Sequence, residues 1–90
     1  EPFCLRAEAT ENTDEYPDKW NSFRTEVEKR ALKARAVAEK YGLTFVPLQE
    51  KLDTAAENTE NTYWLWDGVH PTAMGHELIK REWLKAFETL

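Results

Sequence analysis

Cysteine, serine and glycine are all scarce in this chain, and each scarcity excludes something. Cys4 is the sole cysteine, so no intrachain disulfide framework can form. A lone thiol fits a reducing compartment such as the cytoplasm better than an oxidising one. Ser22 is the sole serine, and Gly42, Gly68 and Gly75 are the three glycines; a helix cap, a turn and close packing account for them. No apolar run approaches the ~20 residues needed to cross a bilayer, which argues against a membrane partner. Basic residues number 12 against 17 acidic ones, for a net charge of −5. This balance offers no basic stripe to neutralise phosphates and argues against a nucleic-acid partner. The first residues carry neither an initiator Met nor a signal-peptide pattern, so the start reads like the middle of a longer sequence.

What is present is the composition of a soluble globular chain. Hydrophobic residues make up 41% and charged residues 32% of 90 residues, enough for one small domain with a limited core. Acids and bases are interspersed, the pattern of a solvated surface.

Residues 7–17 are polar, acidic and end in proline, which predicts a loop. From Asp18 onward Trp20, Phe23, Val27, Ala31, Ala34, Ala38 and Tyr41 recur at steps of three and four. That is an amphipathic helix, with Asp18 as N-cap and Gly42 as its stop. Leu43-Thr44-Phe45-Val46 is a short β-branched and aromatic run ended by Pro47, and predicts a buried strand. Glu1–Leu5 is a candidate first strand. Leu48 to Ala56 suits a short helix, 57–62 a loop, and Thr72 the N-cap of a last helix. That helix carries Met74, Leu78, Ile79, Trp83, Leu84, Ala86 and Phe87, a stripe wide enough to need a substantial partner. One or two parallel strands make a poor sheet. The chain is therefore expected to be completed by a missing segment or by another copy of itself.

The chemistry concentrates in Trp64-Leu65-Trp66-Asp67-Gly68-Val69-His70-Pro71-Thr72. A histidine used as a general base needs its second ring nitrogen held by an acceptor, which fixes the tautomer. Asp67 can do this for His70 if the chain turns back between them. Gly68 supplies the freedom for that turn, and Pro71 stiffens the exit into the helix. A bare D-x-x-H is a weak signal; D-G-V-H-P-T followed by an amphipathic helix is a stronger one.

The string W-x-D-G-V-H-P-T-x-x-G-H with a terminal helix resembles the last block of the SGNH/GDSL hydrolases, serine esterases and lipases that include carbohydrate deacetylases. Glu1-Pro2-Phe3, the helix ending at Tyr41-Gly42 and the run Thr44–Leu48 are similar to the C-terminal part of that fold. The resemblance implies an α/β class: the C-terminal part of a flavodoxin-like three-layer sandwich, helix-rich, with one or two short parallel strands. Residues 1–90 would be a single partial domain lacking the Ser-bearing N-terminal segment. It further implies His70 as general base, Asp67 as its orienting acid, no cofactor, and an ester substrate such as an acetylated sugar. The family's G-D-S nucleophile block and its oxyanion-hole Gly and Asn blocks have no counterpart here, and Ser22 sits in a helix without that context. The chain alone is expected to be inactive.

Other assignments of the same residues are weaker. Cys4 follows a candidate strand, as a nucleophile could, but a free cysteine is more often a small buried hydrophobe. His70, His76 and Asp67 lack a usual zinc spacing, so no metal is expected. Trp64 and Trp66 could form a platform for a sugar face, against the alternative that one of them anchors the loop in the core. Two rival functions follow: a non-catalytic, self-associating fragment forming homo-oligomers, and a carbohydrate-binding module built on the two tryptophans.

Overall fold

The apolar spacing of the longest element explains which side it turns inward. Helix α1 spans Lys19–Tyr41, and the computed structural model describes residues 1–88 of the chain. Trp20, Phe23, Val27, Ala31 and Ala34 are half-buried and Ala38 is buried, while Tyr41, the last of the expected stripe, is exposed. Asp18 occupies the N-cap position, but its carboxylate takes the Asn21 amide at 3.1 Å. The Trp20 N–H donates instead to Asn12 Oδ1 at 2.9 Å, so this helix start is satisfied from the preceding loop. At the other end Gly42 is left-handed, with φ of 65°. The Leu43 N–H reaches the Ala38 carbonyl at 2.8 Å and the Gly42 N–H that of Glu39 at 3.4 Å, a Schellman closure.

Helix α2 spans Gln49–Ala55, close to the expected short helix. Its first N–H groups are capped from the far end of the chain: Glu1 Oε1 accepts from Leu48 at 2.8 Å and from Gln49 at 2.7 Å. Two 3₁₀ turns, Ala56–Asn58 and Asn61–Tyr63, lead on toward helix α3, Ala73–Glu88. Thr72 caps α3 as its sequence position predicts. Its hydroxyl accepts the Gly75 N–H at 3.1 Å and donates to the Tyr63 carbonyl at 2.6 Å.

The expected sheet does not form. Among the described residues the sole β pairing is an isolated antiparallel bridge between Leu65 and Pro71. The α/β three-layer reading is therefore corrected: this chain is helical, and the segments 1–5 and 43–46 are connectors, not parallel strands. The physical reason is visible in residues 4–6, whose backbone groups are taken up by side chains and a loop from distant parts of the chain. Gln49 accepts the Cys4 N–H through Oε1 at 2.8 Å and donates its Nε2 to the Cys4 carbonyl at 2.7 Å. Asn61 Nδ2 donates to the Arg6 carbonyl at 2.7 Å, and the Leu5 N–H donates to the Gly68 carbonyl at 2.9 Å. A side-chain amide thus stands where a neighbouring strand would, and two short runs cannot supply a sheet by themselves. In the second run Leu43 stays exposed, and Phe45 lies under the Arg35 guanidinium at 4.7 Å.

The core is small and gathers around the N-terminal connector. Leu5, Leu52 and Leu65 are buried together, with Phe3, Ala56, Trp64 and Leu78 packed against them. Each fully buried leucine contributes about 1.5–3 kcal/mol. An ion pair joins α1 to α2: Arg24 meets Asp53 Oδ2 at 3.1 Å, and Asp53 Oδ1 also accepts the Gln49 amide at 2.9 Å. The same Gln49 therefore links the N-terminal connector to α2 and, through Asp53, to α1.

Candidate active site

The tryptophan-rich stretch folds back on itself as a miniature hairpin. Thr72 N–H donates to the Trp64 carbonyl at 3.0 Å, Leu65 bridges Pro71, and Trp66 N–H donates to the His70 carbonyl at 3.1 Å. Three residues, Asp67-Gly68-Val69, make the turn. Gly68 has φ of 92°, and a Cβ there would lie 2.5 Å from the Leu5 carbonyl oxygen. Only glycine satisfies both the left-handed backbone and that close approach. Thr10, buried at 6% exposure, crowds the same spot. In the first turn of α3, a Cβ on Gly75 would meet the Trp64 carbonyl oxygen at 2.0 Å, so this helix seats directly on the base of the hairpin.

Asp67 uses both carboxylate oxygens. Oδ1 accepts the backbone N–H of Val69 at 3.0 Å and of His70 at 2.7 Å, and Oδ2 meets His70 Nδ1 at 2.5 Å. Partial burial works against the charged carboxylate, but the two backbone N–H groups and the His70 side chain outweigh it. Its pKa is lowered from 3.8 to about 2. An ionised carboxylate can only accept, so in a neutral imidazole this contact selects the form with the proton on Nδ1 and a lone pair on Nε2. The imidazole is 68% exposed, whereas the Asp67 side chain is 16% exposed. The result is an exposed imidazole whose Nδ1 is tied to a partly buried carboxylate.

The two tryptophans have different surroundings. Trp64 is half-buried against the leucine core; its indole N–H donates to Thr59 Oγ1 at 2.7 Å, and its ring meets Tyr63 edge-on. Trp66 is 62% exposed and stacks on the His70 ring, with centroids 5.7 Å apart and planes 25° from parallel. His76 is exposed on the first turn of α3, its backbone N–H donating to the Thr72 carbonyl at 2.9 Å. Among the described residues no group of three or more His, Cys, Asp and Glu side chains could hold a metal ion. Ser22 is exposed on α1, in a shallow hollow with Tyr16, Pro17 and Phe23, away from the hairpin residues. Cys4 is fully buried, and burial pushes its thiol pKa up despite the nearby Arg24. That is the reverse of nucleophile activation.

The Asp67–His70 pair and its glycine turn were readable from spacing. The supports were not. Leu5 and Thr10 hold Gly68 from about sixty residues away in sequence, and no local pattern signals such a contact.

Comparison with known proteins gives a structural likeness. No family model matches the chain, and no curated protein matches it. A crystal structure titled a "putative GDSL-like lipase", from Parabacteroides merdae, is 31% identical over 96% of this chain, with a TM-score of 0.67. The chain spans 36% of that protein. It is thus similar, over nearly its whole described length, to one part of a GDSL-like lipase.

Proposed function

We propose that this chain is the C-terminal segment of a GDSL-type serine esterase and supplies two members of a Ser-His-Asp triad. The observation that carries the reading is the Asp67–His70 hydrogen bond at 2.5 Å, which leaves Nε2 as an exposed proton acceptor. In the complete enzyme Nε2 takes the proton of a serine supplied by another segment as its oxygen attacks an ester carbonyl. The imidazolium, held by Asp67, then returns the proton to the leaving alcohol. Water hydrolyses the acyl-enzyme by the same proton route. The likeness to a GDSL-like lipase supports this assignment. Acetylated carbohydrate is the substrate class we favour, because Trp66 offers an exposed aromatic surface beside His70. Trp64, turned toward the core, is the less accessible half of such a platform.

A fluorophosphonate probe tests the reading, since it labels only activated serines. In this chain Ser22 is expected to remain unlabelled. In a protein joining the chain to a G-D-S-bearing segment, that new serine is expected to be labelled, and D67N or H70A should abolish the reaction. Labelling indifferent to both substitutions would refute the assignment.

Self-association is a second reading, favoured by the apolar surface of α3. Trp83, Leu84 and Phe87 stay 44–50% exposed, and the Trp83 and Phe87 rings pack on each other at 4.1 Å. A homo-oligomer, or the rest of a longer protein, would cover them. Light scattering showing a folded monomer across a wide concentration range would count against the homo-oligomer.

A further inference from the structure

We propose that Trp66 is a positioning residue for His70: its indole closes one face of the imidazole and confines the ring to the plane in which Asp67 holds Nδ1. This rests on the reading of His70 as the general base.

Little besides Asp67 holds the His70 ring. His70 is 68% exposed, and among the described residues its imidazole is held by a hydrogen bond to Asp67 Oδ2. A single bond at Nδ1 fixes one atom of a flat ring but not its tilt, and water competes for that bond at an exposed site. The Trp66 ring supplies the missing constraint from the side, at 5.7 Å and 25°. Trp66 is itself placed by the hairpin, because its N–H donates to the His70 carbonyl at 3.1 Å. The two residues are therefore a cross-strand pair, whose side chains leave neighbouring positions on the same face. An aromatic pair of this kind shifts a conformational equilibrium by about 2- to 10-fold. The indole face also favours the cation that forms when His70 takes a proton. Trp64 does none of this, since its ring is committed to the core and to Thr59. Two tryptophans in one short motif thus divide the work, one anchoring the loop and the other orienting the base.

Nitrogen-15 NMR of the imidazoles tests the proposal on this chain, with H76Q in the background so that His70 is the one histidine observed. The Nδ1–H tautomer and an upfield ring-current shift of the His70 carbon-bound protons are expected. W66A should lose the ring-current shift and lower the ratio of Nδ1–H to Nε2–H tautomer about 2- to 10-fold; W66F should restore most of the ratio. D67N is the control for the proposed function, and should lose the Nδ1–H preference outright. If D67N alters the tautomer ratio but W66A does not, Trp66 has no positioning role and the Asp67–His70 assignment stands. If D67N leaves the ratio unchanged, the acid–imidazole pair itself fails.

Discussion

Asp67 is held below the ordinary carboxylate range because its charged form receives two backbone N–H groups and the imidazole, more than partial burial takes away. A carboxyl with a depressed folded pKa adds stability above its ordinary pKa and loses it as the pH falls through the folded value. The hairpin is therefore expected to be intact above about pH 5 and to loosen as the pH falls through 4 toward 2. Tryptophan fluorescence and the His70 proton shifts should report the change. D67N should remove this part of the acid limb but leave the part from Glu11, lowered to about 2 by its pairing with Arg6. Gly75→Ala makes an opposing pair of demands visible. Helix propensity favours alanine by about 1 kcal/mol, yet its Cβ would collide with the Trp64 carbonyl oxygen. Net destabilisation of about 1–3 kcal/mol in urea unfolding is expected. At this scale much was legible: an Asp, a Gly and a His at fixed offsets specify the turn. Trp66 stacking on His70 was not, because sequence spacing does not say which of two tryptophans faces out.

Among the elements, the helices followed from pattern and the strands did not. The α1 stripe, the Gly42 stop and the Thr72 cap are local devices, and each sits where three-to-four spacing or capping chemistry puts it. A strand is not local, since its hydrogen bonds need a neighbour, and the neighbour of Cys4 is the Gln49 side chain. Gln49→Ala should accordingly cost more than an ordinary surface change. It strands the Cys4 N–H and carbonyl in a partly buried place, which costs about 1–3 kcal/mol per unsatisfied group. Chemical denaturation of the variant checks this, and Gln49→Glu should cost at least as much, because its second carboxylate oxygen would face the Cys4 carbonyl and the Asp53 carboxylate in place of a donor. Thr72→Ala removes both the α3 cap and the tie to the Tyr63 carbonyl. A loss of about 1–2 kcal/mol is expected, with Thr72→Ser restoring most of it.

As a whole the molecule is loosely built for its size. Its accessible surface of 6333 Å² exceeds the about 5,400 Å² expected of a compact monomer of this mass. Its radius of gyration of 14.2 Å exceeds the about 12 Å expected for 90 residues. Trp83, Leu84 and Phe87 on α3, with Leu32 and Val37 on α1, account for part of the excess apolar surface. Light scattering and thermal unfolding are expected to depend on concentration, and L84E/F87E to weaken that dependence. The proposed function turns on the Asp67–His70 pair. The most direct test is p-nitrophenyl acetate hydrolysis by the chain joined to a G-D-S-bearing segment, compared with the same protein carrying H70A. A kcat loss of about 10²- to 10⁴-fold is expected in the variant. Hydrolysis that survives H70A unchanged would contradict it.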